Sequence, residues 1–208
     1  MIGSILKRST SNSIIWGSGF ISADSICDEL PKKVLAVRGP LTRNKLIEMG
    51  VDCPEIYGDP ALLLPEVYPS ANVTVKYKLG IIPHYHDKKD SWLKTHFSKN
   101  SEINIIDVQN KNPLKVVAEM LKCEKIISSS LHGIIIADAY KIPSVWIEFS
   151  DKVYGSGFKF RDYFQSVGRS VETPFQFRDF KSLEEILNVF EPYEINIDLE
   201  SLKNTFPF

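Results

Sequence analysis

Short apolar, β-rich runs recur along the chain, and stretches with apolar positions at helical spacing alternate with them. Ser13-Ile14-Ile15-Trp16 predicts a strand running into Gly17-Ser18-Gly19, and Val34-Leu35-Ala36-Val37 predicts a second ending at Arg38-Gly39-Pro40. Pro40 suits a first helical turn and Gly50 a stop, so a helix is expected between them. Tyr57-Gly58-Asp59-Pro60 opens an extended, proline-bounded segment. From Glu66 to Val75 the pattern becomes polar and irregular, with Pro69, Ser70 and Asn72, and a hinge is expected there. The alternation then resumes. Strands are expected over 78–83, 103–108, 125–128 and 144–149. Helices are expected over 91–97, from the Asn112-Pro113 cap to Cys123, from His132-Gly133 to Tyr140, and over 159–167 before Gly168. Ser182 and Glu185 have capping-box spacing for a last helix ending near Phe190.

Strand–helix alternation of this kind predicts an α/β protein with parallel sheets covered by helices. Two Rossmann-like units are expected, 1–70 and 71–208, the second carrying the C-terminal helices. The first is thin, with about two strands where open doubly wound sheets have roughly five or six. Such a fragment struggles to bury its own helices, so it either packs on the second unit or continues upstream of Met1.

Composition narrows the functional classes. Of 208 residues, 43% are hydrophobic and 25% charged, enough for an ordinary core. A net charge of -1 with no charged block argues against nucleic acid as a partner. Cys27, Cys53 and Cys123 are too few and too scattered for a disulfide framework or a zinc site. No apolar run approaches the ~20 residues that span a bilayer, and Met1 to Thr10 lacks signal-peptide order. A cytoplasmic enzyme is the expectation, with peripheral contact at the inner membrane face compatible with it.

Ligands of open α/β sheets bind outside the carboxyl ends of the strands. The most informative loop there is Ser128-Ser129-Ser130-Leu131-His132-Gly133, where hydroxyls follow a strand and a helix begins. Free N–H groups and the helix dipole make that place a seat for phosphate or carboxylate. Gly133 permits close backbone approach, and His132 can exchange a proton near neutral pH. The alternative is that the serines cap the helix and His132 bonds only to backbone. Arg38 can hold a carboxylate or phosphate bidentately, or pair with a nearby acid such as Asp59. Lys159 and Arg161 can reach an anion, or line a solvated helix face. Pro83-His84-Tyr85-His86-Asp87 follows a strand; its histidines would point to opposite faces if the strand continued, so a substrate-contacting or merely polar loop is preferred to a metal site. Gly17-Ser18-Gly19 lacks dinucleotide-fingerprint spacing and reads as a tight turn with room for a phosphate or sugar contact.

In order, Ile15-Trp16-Gly17-Ser18-Gly19-Phe20, Val37-Arg38-Gly39-Pro40-Leu41-Thr42, Tyr57-Gly58-Asp59-Pro60-Ala61, Ser129-Ser130-Leu131-His132-Gly133 and Phe158-Lys159-Phe160-Arg161-Asp162-Tyr163 resemble the polysaccharide pyruvyl transferase family. The likeness runs from about residue 3 to 165. It implies a GT-B-like fold and transfer of a pyruvyl group from phosphoenolpyruvate to sugar hydroxyls as a ketal, in bacterial exopolysaccharide or capsule biosynthesis. It also implies His132 as general acid or base and Arg38 as a donor contact. Ser129, Ser130, Leu131, Gly133, Lys159 and Arg161 join the expected donor site, and Gly17, Ser18, Asp59 and His84 the acceptor or loop contacts. No metal and no cofactor beyond the donor substrate are expected; the acceptor is a glycan or lipid-linked sugar. Two departures stand out. Many members have arginine where this chain has Ser130, so the carboxylate contact is either missing or supplied by Lys159 or Arg161. The family's front Asn-x-Gly-Asp loop has no counterpart after Met1. A GT-B nucleotide-sugar glycosyltransferase and a non-catalytic glycan- or anion-binding remnant stay open as alternatives.

Overall fold

The computed structural model describes residues 3–70, 73–150 and 153–207. Within the expected hinge, Ala71 and Asn72 lie outside them. A 3-10 turn at Leu6–Arg8 precedes β1 (Ile14–Ser18), β2 (Lys33–Val37) and α1 (Pro40–Glu48). A 3-10 turn at Pro60–Leu63 leads into α2 (Leu64–Val67). Then follow β3 (Tyr77–Ile82), α3 (Ser91–His96), β4 (Ile103–Ile105), α4 (Pro113–Met120), β5 (Cys123–Ser128), α5 (Leu131–Ala139) and β6 (Ser144–Glu148). The remaining elements are α6 (Phe158–Ser166), β7 (Phe175–Gln176), α7 (Leu183–Leu187) and α8 (Leu199–Asn204).

Two compact units result. The first comprises Met1–Leu63, Tyr154–Glu172 and Glu194–Phe208; the second comprises Leu64–Val153 and Thr173–Tyr193. The division expected at 70/71 therefore shifts to Leu63/Leu64, and part of the C-terminal region returns to the first unit. Packing supplies the reason. Parallel β1 and β2 form only a two-stranded sheet, which cannot bury its residues alone. Phe158 of α6 joins Leu6, Ile15, Phe20, Val34, Val37 and Leu46 in one core. The Trp16 indole donates to the Leu202 carbonyl in α8 at 2.8 Å.

The second unit holds a parallel five-stranded sheet in the order β4-β3-β5-β6-β7. Numbered within the unit this is 2-1-3-4-5, a doubly wound order in which the connections diverge between β3 and β5. Alternation along the strands feeds two cores. Leu79, Ile81, Ile127 and Ile147 meet Leu93 and Phe97 from α3 and Ile186 from α7. Ile82 and Ile126 meet Val116, Val117 and Met120 of α4 and Ala137 of α5. At the far end of α5, Tyr193 donates to Asp138 at 2.5 Å and accepts from the Ser144 N–H at 3.0 Å, tying that end of the unit together. Among the described residues, no helix is long and apolar enough to cross a membrane.

Candidate active site

The place where the second unit's connections diverge is built by three loops: 83–90 after β3, 129–130 after β5 and 149–150 after β6. Since β5 pairs with both β3 and β6, the carboxyl ends of these strands are neighbours. The Ser129 N–H donates to the Ile82 carbonyl at 3.1 Å. In return the Ser129 hydroxyl accepts from the His84 N–H at 2.8 Å, fixing the start of the β3 loop. The Ser128 hydroxyl accepts from the Ser130 N–H at 3.0 Å and lies 2.8 Å from the Ser130 carbonyl oxygen.

α5 starts directly beyond this serine knot. Its N-cap is Ser130, whose side chain makes no capping bond. A Cβ at Gly133 would fall on the Ser128 hydroxyl and crowd Ile82, so glycine lets the helix start close against the sheet edge. Leu131, Gly133, Ile134 and Ile135 are buried and hold the helix in place, while His132 is half-buried beside them. The first N–H groups of an α-helix have no partner within it and carry its positive dipole end. Ser129, Ser130, Leu131, His132 and Gly133 thus form the turn and first residues of α5, with Ser128 and Ser129 bracing the turn.

The β3 loop differs from its sequence reading. The strand stops at Ile82, and a turn from the His84 carbonyl to the Asp87 N–H follows at 2.7 Å. His84 and His86, expected on opposite faces of a continuing strand, instead lie with ring centroids 5.3 Å apart, and Tyr85 packs against both. Asp87 is buried and accepts from the Ser150 hydroxyl at 2.6 Å. Among the described residues, no group of three or more His, Cys, Asp or Glu is arranged to hold a metal ion.

In the first unit, three of the sequence motifs pack around one ion pair. Arg38 is fully buried and reaches Asp162 through Nε at 2.9 Å and Nη2 at 2.8 Å. Its Nη1 donates to Ser4 at 2.7 Å and its Nη2 to the Phe20 carbonyl at 2.6 Å. Asp162 also accepts from the Thr42 N–H at 2.8 Å and its hydroxyl at 2.7 Å. A Cβ at Gly19 would strike the guanidinium, and one at Gly39 the Asp162 backbone. The direct donor contact expected of Arg38 is thus corrected: its guanidinium is enclosed by protein partners. The anticipated acid partner is real, but it is Asp162 rather than Asp59.

The other first-unit candidates follow the same logic. Gly17, at φ +74°, turns where a side chain would strike Pro60. Ser18 and Asp59 are buried, and Asp59 accepts from the Ala61 N–H at 3.0 Å. These three are packed in the first unit's interior, not displayed as acceptor contacts. Arg161 donates to the carbonyls of Ser156 at 2.7 Å and Glu172 at 3.4 Å, bracing the loop before α6. Lys159 differs from them all. It is only 7% exposed, has no carboxylate partner among the described residues, and lies over the Phe160 ring at 5.5 Å. Burial, reinforced by the Arg38 charge, pushes its ammonium pKa down to about 8. Burial has the opposite effect on Cys53 and Cys123, whose thiols rise to about 11 and about 12 and stay protonated.

Residues 1–151 match the polysaccharide pyruvyl transferase family. The chain belongs to that family. The family match covers four of the five motifs; the fifth, Phe158 to Tyr163, lies beyond the matched region. Among curated proteins, the chain is 34% identical to the uncharacterized protein L143 of Acanthamoeba polyphaga mimivirus over 170 residues, covering 80% of this chain and 59% of that protein. It is 28% identical to the succinoglycan biosynthesis protein ExoV of Rhizobium meliloti (strain 1021) over 174 residues, covering 80% of this chain and 52% of that one. The match thus spans little more than half the length of either relative. No solved structure matches.

Proposed function

We propose that this protein transfers a pyruvyl group from phosphoenolpyruvate to a pair of sugar hydroxyls, forming a ketal during assembly of an exopolysaccharide or capsule glycan. The observation that carries the reading is the segment Ser129–Gly133 at the amino end of α5, where the second unit's sheet connections diverge, in a chain of this family. The succinoglycan role in the name of the ExoV relative supports the glycan context.

In this reading the donor's phosphate or carboxylate sits against the α5 amino end, where backbone N–H groups stabilise negative charge. His132, half-buried in that first turn, protonates the donor's methylene carbon and makes C2 electrophilic. A sugar hydroxyl adds to C2, and a second hydroxyl then displaces phosphate and closes the ring. A GT-B-like kinship of the two units belongs to the same proposal.

Thermal unfolding with ligands tests the donor class. Phosphoenolpyruvate alone raises the unfolding temperature, because a ligand that binds only the folded state at a hundredfold excess over Kd adds about 2.7 kcal/mol. His132→Ala retains that shift but lowers transfer by about 10²-fold or more. Stabilisation by uridine or guanosine diphosphate instead marks a nucleotide-sugar enzyme. No response to any of these marks a non-catalytic protein.

A further inference from the structure

One buried group at this edge has no part in the scheme so far. Asp87 is 4% exposed, and its Oδ1 accepts from the Ser150 hydroxyl at 2.6 Å. Its Oδ2 is enclosed and has no hydrogen-bond partner. An ionised carboxylate oxygen left unpaired away from water carries a desolvation penalty that a bound hydroxyl donor removes. Its location is specific: the 83–90 loop is held on β5 by the His84–Ser129 bond and on the end of β6 by the Asp87–Ser150 bond. Asp87 thus belongs to the same sheet edge as the turn that presents His132. Tyr85 and His86, beside it in the same turn, are exposed.

We propose that Asp87 is a further catalytic residue, the base that receives the proton of the acceptor hydroxyl. The inference rests on the pyruvyl transfer reading and supplies the step that reading leaves open. His132 gives its proton to the donor methylene carbon while the acceptor oxygen bonds to C2, and the hydroxyl proton passes to Asp87 Oδ2. When the second hydroxyl bonds to C2, the C2–O bond to phosphate breaks with its electron pair. Asp87 returns its proton to the departing phosphate, and the second hydroxyl's proton restores His132. The sum is one donor and two hydroxyls giving one ketal and one phosphate, with both residues regenerated.

Asp87→Asn tests this, because it keeps the Ser150 contact and the side-chain shape but replaces the free acceptor with a donor. The expected result is a fall in kcat of about 10²-fold or more and an unchanged thermal shift with phosphoenolpyruvate. A kcat within twofold of wild type overturns the assignment. Should Asp87→Asn not fold, Ser150→Ala probes the same carboxylate through its other oxygen; kcat is expected to fall about tenfold, less than the 10²-fold or more expected when the base itself is lost. An unchanged kcat in that variant also overturns it. Wild-type protein that neither binds phosphoenolpyruvate nor forms ketal with a lipid-linked sugar removes the underlying reading, and this inference with it. A wild type that does both, beside a fully active Asp87→Asn, removes this inference alone.

Discussion

Lys159 and Arg38 have comparable burial and opposite circumstances. Arg38 meets Asp162, Ser4 and Phe20 and is held like a structural ion pair. Breaking such a pair by removing one partner typically costs 3–5 kcal/mol. Lys159 has no such compensation, and its pKa falls from 10.5 to about 8. The consequence for stability has a definite sign. Below pH 8 the lysine is protonated in both the folded and unfolded chain, and the cost of burying the charge is fully present. Between about 8 and 10.5 the unfolded chain holds a proton the folded one has released, so this group's contribution to stability rises with pH. Lys159→Met is therefore expected to be the more stable protein at pH 7, by at most about 3 kcal/mol, with the gap closing as pH approaches 10.5. Urea denaturation of both proteins across this range checks it; a gap independent of pH contradicts it. Spacing alone left Arg38 between an anion and an acid partner such as Asp59, and Lys159 between an anion and a solvated helix face. Asp162 lies 124 residues from Arg38, and only the fold joins them.

The strands and helices follow from local pattern wherever the pattern is long enough. The expected strand and helix positions appear with small shifts at their ends: β4 stops at Ile105, and α4 stops at Met120 because Cys123 already begins β5. Tyr57–Pro60 was expected to be extended, yet the Asp59 side chain accepts from the Ala61 N–H, and a 3-10 turn forms from Pro60. The capping box is half formed. Ser182 accepts from the Glu185 N–H, whereas the Glu185 carboxylate takes the N–H of Lys181, one residue early. β7 and α8 carried no readable signal, since two residues cannot alternate and six give barely more than one helical turn. The glycine that starts α5 is the sharpest test of the local account. Gly133→Ala must push the Ser128 side chain or the helix aside, and overpacking of this kind costs typically 1–3 kcal/mol. Chemical denaturation is expected to report that loss; an unchanged midpoint would mean that the helix start has slack.

Two units share the chain, and each is completed by residues distant in sequence. The first needs α6 and α8 to cover a two-stranded sheet, and the second takes β7 and α7 after the chain has left it for α6. That return was illegible from the sequence, because nothing local distinguishes a C-terminal helix that closes one unit from one that closes the other. The turn from β5 into α5 was legible, because strand, serine cluster, histidine and glycine are contiguous in the sequence. Asp87 was visible only as part of a polar loop; its burial against Ser150 comes from the three-dimensional meeting of β3 and β6 loops.

Backbone amide NMR of the 208-residue chain titrated with phosphoenolpyruvate addresses the claimed donor seat itself. Saturable shifts are expected to be largest at the amides of Ser130, Leu131, His132 and Gly133. Shifts confined to other parts of the chain, or none at millimolar donor, would contradict the placement of an anionic donor at the start of α5.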